Sequence, residues 1–147
     1  MTTTRVQRSI EAPRSVFRTI GRVRAAFVDA LDRALAPFEV TAAQFFILVL
    51  IGAGEAESAS QLCRSISYDP GAMTRMLDRL EQKGMIRRAR HPADRRKTTL
   101  ELTDDGRRVV PRLHEVASRV RSRFLRGFSR AELDSLETCL QRILANA

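Results

Sequence analysis

Residues Tyr68–Thr103 read YDPGAMTRMLDRLEQKGMIRRARHPADRRKTTLELT, and the fold follows from this stretch. It begins as an amphipathic helix, in which Asp69 is a suitable N-cap and Pro70 occupies the first helical position without losing a hydrogen bond. Apolar residues then recur at helical spacing and predict one buried stripe: Ala72, Met73, Met76, Leu77 and Leu80. Gly84 favours a left-handed C-cap, so the helix is expected to end there.

After this helix the pattern changes to that of a β-hairpin. Residues 85–90 are expected to run outward, residues 91–94 to turn, and residues 97–102 to return with apolar and polar side chains alternating. Residues 87–97 include six Lys/Arg and one Asp, which leaves a local charge of +5. A helix with a polar face followed by a basic ribbon predicts a mainly α fold with a small β-hairpin, the winged helix-turn-helix, whose natural partner is duplex DNA.

The length of 147 residues suits one structural domain with three parts. We expect an N-terminal arm and dimerisation helix over 1–40, the winged helix-turn-helix module over 41–103, and C-terminal dimerisation helices over 104–147. The outer helices carry apolar stripes that the small central module cannot cover. Pairing with a second copy would cover them, which predicts a two-fold homodimer.

The flanking helices are placed by their caps and breakers. Residues 1–13 read as a flexible arm, and a helix is expected from Pro13 to about Leu35. Four further helices are expected to begin after N-caps or capping boxes at Thr41, Ser58, Thr103 and Ser129. The helix after Thr103 carries a stripe that extends to Phe128, and Pro111 inside it predicts a kink.

Four motifs carry a family resemblance: Thr74–Arg75, LDRLEQKG at 77–84, DRR at 94–96 and LELT at 100–103. They resemble the MarR family of bacterial transcription regulators, and the length and order of elements extend the resemblance over the whole chain. The D-x-R wing followed by L-x-L-T is the more specific part. The resemblance implies a homodimeric repressor on a pseudo-palindromic operator. It also implies release by a phenolic or aromatic effector that lodges between the dimerisation helices and the DNA-binding lobe.

The polar face of the helix that begins at Pro70 is the predicted base-reading element. Its N-terminal residues would reach base edges in the major groove: Gly71, Ala72, Thr74 and Arg75. Arg75 suits a bidentate contact with guanine, and Arg79, one turn later, suits a phosphate. The alternative is a solvated helix face on which Arg75 and Asp78 are incidental neighbours.

The tip of the hairpin is the second predicted contact. By resemblance, Arg96 is the arginine that enters a narrow minor groove, and Asp94 holds it in position. Arg95 and Lys97 would reach phosphates. The alternative is a turn that only adds solubility.

Helix N-termini and one further basic stripe complete the candidate contacts. Thr41, Ser60 and Gln61, with Gln44 nearby, could meet phosphate oxygens, although plain capping explains them equally well. The stripe on the long C-terminal helix is expected to be a solvated face or to form ion pairs in the dimer: Arg119, Arg123, Arg126 and Arg130.

Composition narrows the function further. The net charge of +9 and the pI near 11.2 favour a polyanionic partner. Two cysteines without C-x-x-C spacing indicate a reducing compartment, and no apolar run approaches the roughly 20 residues of a membrane helix. We therefore expect a soluble, cytoplasmic protein.

No pattern for catalysis, a metal or a cofactor occurs in the sequence. His114 is expected to be a partly buried helix residue, with a ligand contact as the alternative. Cys63 is expected to be a buried structural thiol. The alternative functions are a redox-sensing regulator that uses Cys63, and an architectural or partner-binding winged-helix module without a specific operator.

Overall fold

Six helices and one antiparallel hairpin make up the part of the chain that the computed structural model describes, residues 3–91 and 93–147. Within these ranges the side chains of residues 3–14, 95 and 97 lie outside the described part. The elements in chain order are α1 (Thr3–Leu35), a 3-10 turn (Ala36–Phe38), α2 (Ala42–Gly52), α3 (Ala59–Ile66), α4 (Pro70–Gln82), β1 (Ile86–His91), β2 (Asp94–Leu102), α5 (Asp104–Phe124) and α6 (Arg130–Ala145). The predicted fold class, mainly α with a hairpin wing, is confirmed.

One hydrophobic core joins α1 to the central module and to α5. Its fully buried side chains come from nearly every element: Leu31, Leu35, Ile47, Leu48, Leu62, Met73, Leu77, Leu80, Ile86 and Leu113. The start of α5 lies against the loop after α4, where a Cβ on Gly106 would stand 2.1 Å from the Met85 carbonyl oxygen. Only glycine permits this approach, which sets the angle at which α5 leaves the wing.

The first helix is longer than the sequence indicated. It begins at Thr3, so the expectation of a flexible arm is wrong for residues 3–13, and Met1 and Thr2 lie outside the described residues. The helix passes through Pro13, which removes one backbone hydrogen bond but does not end it. Residues 4–12 include Arg, Gln, Glu and Ala, which are good helix formers, so the helix continues on both sides of the proline.

The two C-terminal helices are separated by a short loop that the sequence analysis assigned to α5. That helix continues through Pro111 and ends at Phe124, and Phe128 lies in the loop with half of its surface exposed. The predicted capping box of α6 is present, since Ser129 and Glu132 exchange hydrogen bonds. The bond from the Ser129 backbone N–H lowers the pKa of the Glu132 carboxyl.

The hairpin has a tighter turn than the predicted residues 91–94. His91 pairs with Asp94, so both belong to the strands, and an irregularity in register falls between Arg90 and His91. Towards the base, Arg88 pairs with Leu100 and Ile86 with Leu102. The apolar side chains of these rungs enter the core, which attaches the base of the wing to the module.

No single described helix is long and apolar enough to cross a membrane. The segments Ser15–Phe38 and Ala42–Gly52 meet the length and composition together, but they are bent by 78° at the break between them.

Candidate nucleic-acid interface

Helices α3 and α4 form the helix-turn-helix pair. Ser58 caps α3 through the Gln61 N–H at 3.3 Å, and α3 ends at Ile66 and is followed by its C-cap Ser67, whose φ of 53° is left-handed. Asp69 caps α4 by accepting from the Ala72 N–H at 2.9 Å, as predicted. These local bonds define where each helix begins, and the left-handed Ser67 turns the chain from α3 towards α4.

The N-terminal face of α4 is polar and exposed. Gly71, Thr74, Arg75 and Arg79 are exposed, and Ala72 is half-buried. The Thr74 hydroxyl donates to the Pro70 carbonyl at 2.9 Å. The Arg75 guanidinium extends back along the helix, since a Cβ on Gly71 would stand 3.5 Å from its Nη1. The closer neighbour of such a Cβ is the capping Asp69 Oδ1 at 3.1 Å, so a larger residue in place of Gly71 would crowd the cap first.

At the wing tip the Asp94 carboxylate accepts from the backbone N–H of Arg96 at 3.0 Å. The Arg96 side chain is exposed. This Asx-type bond orients the backbone beneath the arginine. The side chains of Arg95 and Lys97, both predicted contacts, lie outside the described residues.

Two of the six cations counted in the wing are neutralised by carboxylates. Arg87 pairs with Glu101 across the hairpin at 2.8 Å. Arg88 donates to Asp78 at 2.7 Å and also pairs with Glu81. The local charge available to a ligand is therefore lower than the count of +5 suggested.

Among the described side chains, the wing cations Arg90 and Arg96 are exposed and have no ion-pair partner. The sequence analysis counted Arg90 among the basic residues of the wing but did not name it as a DNA contact. Its position on β1 near the tip, in a strand rich in arginine, is the signal that would have identified it.

The Arg88 ion cluster was also missed from the sequence. The hydrogen bond with Asp78 raises the pKa of Arg88 above its ordinary value, although partial burial opposes this. The ion cluster therefore favours the charged form of this guanidinium. The Asp78 carboxylate, which the solvated-face alternative set beside Arg75, pairs with the forked guanidinium of Arg88 on β1.

The candidate phosphate contacts at helix N-termini are largely engaged in capping. Thr41 Oγ1 accepts from the Gln44 N–H at 3.2 Å, and the side-chain Oε1 of Gln44 accepts from the Thr41 N–H in return, while Gln44 is only 3 % exposed. Gln44 is therefore inaccessible to DNA. Gln61 accepts from the Glu57 N–H at 2.7 Å. Ser60 is exposed.

A cavity of about 260 Å³ lies between α1, α2 and the turn that precedes α4. Its lining is aromatic and apolar except for one guanidinium and one phenol: Arg24, Phe27, Val28, Ala42, Ala43, Phe46, Ile66 and Tyr68. Ile66 and Tyr68 flank Ser67, so the cavity touches the helix-turn-helix turn itself. No local residue pattern indicated this cavity, because its lining residues are up to 44 positions apart in the chain.

Cys63 and His114 are both more exposed than the sequence predicted. Cys63 is half-buried against the core rather than fully buried, and Cys139 is exposed. His114 is exposed rather than partly buried, and its ring lies edge-on to Phe45 with centroids 5.5 Å apart. Among the described residues no group of His, Cys, Asp and Glu could hold a metal ion.

Comparison with known proteins shows which family shares this architecture. A family model described as "MarR family" matches residues 40–98. The multiple antibiotic resistance protein MarR of Escherichia coli strain K12 is 32 % identical over 115 residues, covering 78 % of this chain and 80 % of that protein. The chain belongs to the MarR family. Members of this family are transcription regulators and not enzymes, as the sequence predicted.

Two further relatives support this membership. The HTH-type transcriptional regulator PecS of Dickeya dadantii is 33 % identical over 134 residues, covering 89 % of this chain and 81 % of that protein. A cysteine-to-serine mutant of E. coli MarR in complex with operator DNA superposes with a TM-score of 0.79 at 30 % identity, covering 88 % of this chain and 94 % of that one. The winged-helix fold is thus shared with a MarR-family structure that holds DNA.

Proposed function

We propose that this MarR-family chain binds a specific, pseudo-palindromic operator as a cytoplasmic homodimer and represses transcription until a small molecule releases it. The observation that carries the DNA-binding step is the arrangement of α4 and the wing. The exposed polar N-terminus of α4 lies beside a hairpin whose Arg90 and Arg96 have no ion-pair partner among the described side chains. The E. coli relative with the same fold was crystallised with operator DNA.

Each predicted contact has a role in this proposal. In the major groove α4 presents four residues to base edges: Gly71, Ala72, Thr74 and Arg75. Arg96 enters the flanking minor groove, and Asp94 orients its backbone. The remaining contacts are with phosphates: Thr41, Ser60, Gln61, Arg79, Arg95 and Lys97.

The exposed apolar surface of the outer helices supports the homodimer. On α1, Phe17 and Val23 are 61 % and 56 % exposed, and on α6, Leu136 and Leu144 are 46 % and 67 % exposed. No residue of α6 is buried within the single chain. A second copy that contributes the same helices would cover both surfaces, so residues 1–40 and 104–147 act as the dimerisation parts around the module 41–103.

The cavity beside the helix-turn-helix turn is the proposed effector site. Phe27 and Phe46 offer aromatic walls, and Arg24 offers a charge partner for a carboxylate or phenolate. An occupant would press on Ile66 and Tyr68 and so displace α4. Adding benzoate or a hydroxybenzoate to the protein–DNA complex should raise the Kd of wild type and leave that of Arg24→Met unchanged. No effect on wild type would exclude aromatic acids as effectors.

The wing contribution tests the DNA-binding proposal itself. Arg96→Ala should weaken binding to a duplex selected from a random library and lower the slope of log affinity against log salt by roughly one, because one cation that displaces counterions from the DNA is lost. Arg33→Ala, which removes a cation paired within α1, is the matched control and should change neither value much. Arg96→Ala binding within about twofold of wild type would exclude the wing from the interface.

A further inference from the structure

We propose that Arg88 is the positioning residue that ties the recognition helix α4 to the wing, so that the wing tip contributes to DNA binding only while Arg88 holds both carboxylates of α4. This inference rests on the proposed function. It assigns a role to a residue that would not itself touch DNA, and it follows from the geometry of one ion cluster.

The cluster has three contacts, all from one residue of β1. The Arg88 guanidinium donates to Asp78 Oδ1 at 2.7 Å and pairs with the Glu81 carboxylate. The Arg88 backbone N–H also donates to Glu81 Oε1 at 3.2 Å. Side chain and main chain of one strand residue are thus held to two successive turns of α4. A forked guanidinium resists rotation because both of its arms are engaged.

Arg88 stands at the last rung at which a hydrogen bond ties the hairpin to the rest of the molecule. On the opposite strand Leu100 donates its N–H to the Glu57 carbonyl at 2.9 Å. From Ala89 towards the tip, every hydrogen bond among the described residues stays within the hairpin, such as those of Thr99 to Ala89 and Arg96 to Asp94. The wing tip therefore extends beyond its last hydrogen-bonded attachment, which is at the Arg88–Leu100 rung.

The length of the hairpin beyond this rung makes the position of the tip sensitive to the attachment. His91, where the hairpin turns, is three positions beyond Arg88, which is roughly 10 Å of strand. A small rotation at the rung moves the tip through an arc of ångströms, and Arg96 must meet a narrow groove while α4 occupies its own. Both contacts form together only when the angle between helix and hairpin is fixed.

Charge is the second consequence of the cluster. Asp78 and Glu81 lie three residues apart on the helix proposed to enter the groove, and their side chains are 48 % and 38 % exposed. Without Arg88 two carboxylates would face each other and the phosphates. Any test must therefore separate positioning from simple neutralisation.

A double-mutant cycle with the wing tip provides this test. On a duplex selected from a random library, Arg96→Ala should cost about tenfold or more in the wild-type background and less than about twofold in an Arg88→Met background. Arg87→Met is the matched control, since Arg87 is the neighbouring arginine and loses its pair with Glu101 inside the hairpin. In that background the cost of Arg96→Ala should stay near its wild-type value.

Two more variants exclude the competing explanations. The triple variant Arg88→Met/Asp78→Asn/Glu81→Gln carries no unpaired carboxylate and should still show the small Arg96→Ala cost. Arg88→Lys keeps the charge but loses the fork. In that background the cost of Arg96→Ala should therefore lie between its value in wild type and its value with Arg88→Met. Thermal unfolding of each variant shows whether it is folded, and Arg88→Lys serves as the test if Arg88→Met is not.

Each outcome decides the inference. Two results would show that Arg88 does not position the wing tip. One is an Arg96→Ala cost in the Arg88→Met background as large as that in wild type, and the other is the return of the full cost in the triple variant. If wild type binds all duplexes equally and Arg96→Ala has no effect in any background, it is the proposed function that fails.

Discussion

Among single residues, Arg75 is the best placed to contact base edges and so to distinguish DNA sequences. It is exposed on the first turns of α4, and its guanidinium lies over Gly71, where no side chain blocks it. Arg75→Ala should cost about 1–3 kcal/mol on the selected duplex and less on a scrambled one, because a bidentate contact with a base edge is lost. Titration of both duplexes at one salt concentration measures the two costs.

Arg95→Ala is the comparison for this prediction. Its cost should be similar on both duplexes, since the phosphates that Arg95 is proposed to contact are the same in both. An equal loss for Arg75→Ala on both duplexes would make Arg75 a phosphate contact and would contradict its assignment to base reading.

At the scale of elements, the junction between the wing and α5 depends on one glycine. Gly106→Ala would place a Cβ 2.1 Å from the Met85 carbonyl oxygen, a backbone atom that also accepts from the Thr103 N–H at 3.1 Å. The start of α5 would have to move, at a cost of about 1–3 kcal/mol in the free energy of unfolding. Chemical denaturation measures this change.

Gly21→Ala is the matched control for this substitution. Gly21 is also a helical glycine, but a Cβ there meets nothing within 4 Å. Alanine should stabilise α1 by about 0.5–1 kcal/mol, because glycine loses more backbone entropy on folding. Equal effects of the two substitutions would mean that the contact at Met85 does not constrain the junction.

The elements that the sequence predicted well are those determined by neighbouring residues. Asp69, Pro70 and Gly84 fix α4 within one stretch, and the alternation in residues 97–102 fixes the returning strand. The start of α1 was misplaced because Pro13 was taken as a helix beginning, whereas good helix formers precede it.

The parts of the candidate site that sequence patterns could not predict depend on packing between distant residues. Arg88 meets Asp78 only because the hairpin folds back beside α4. The cavity combines Phe27 with Tyr68, which α1 and the turn bring together. No local period records such pairings.

At the scale of the whole molecule, the outer helices and the reading module have separate tasks. The apolar side chains of Phe17, Leu136 and Leu144 are exposed in the single chain, whereas the core that holds α4 and the wing is complete within it. Pairing through the outer helices would set the spacing of two α4 helices. A two-fold operator would then match the symmetry of the protein.

The central claim is that two such chains bind one specific DNA site, and one titration tests it directly. The chain is added to the best duplex recovered from a random library and to a scrambled duplex at the same salt concentration. Two chains of 16.6 kDa should bind the selected duplex, at least about 10³-fold more tightly than the scrambled one. Equal affinity for the two duplexes, or saturation at one chain per duplex, would contradict the account.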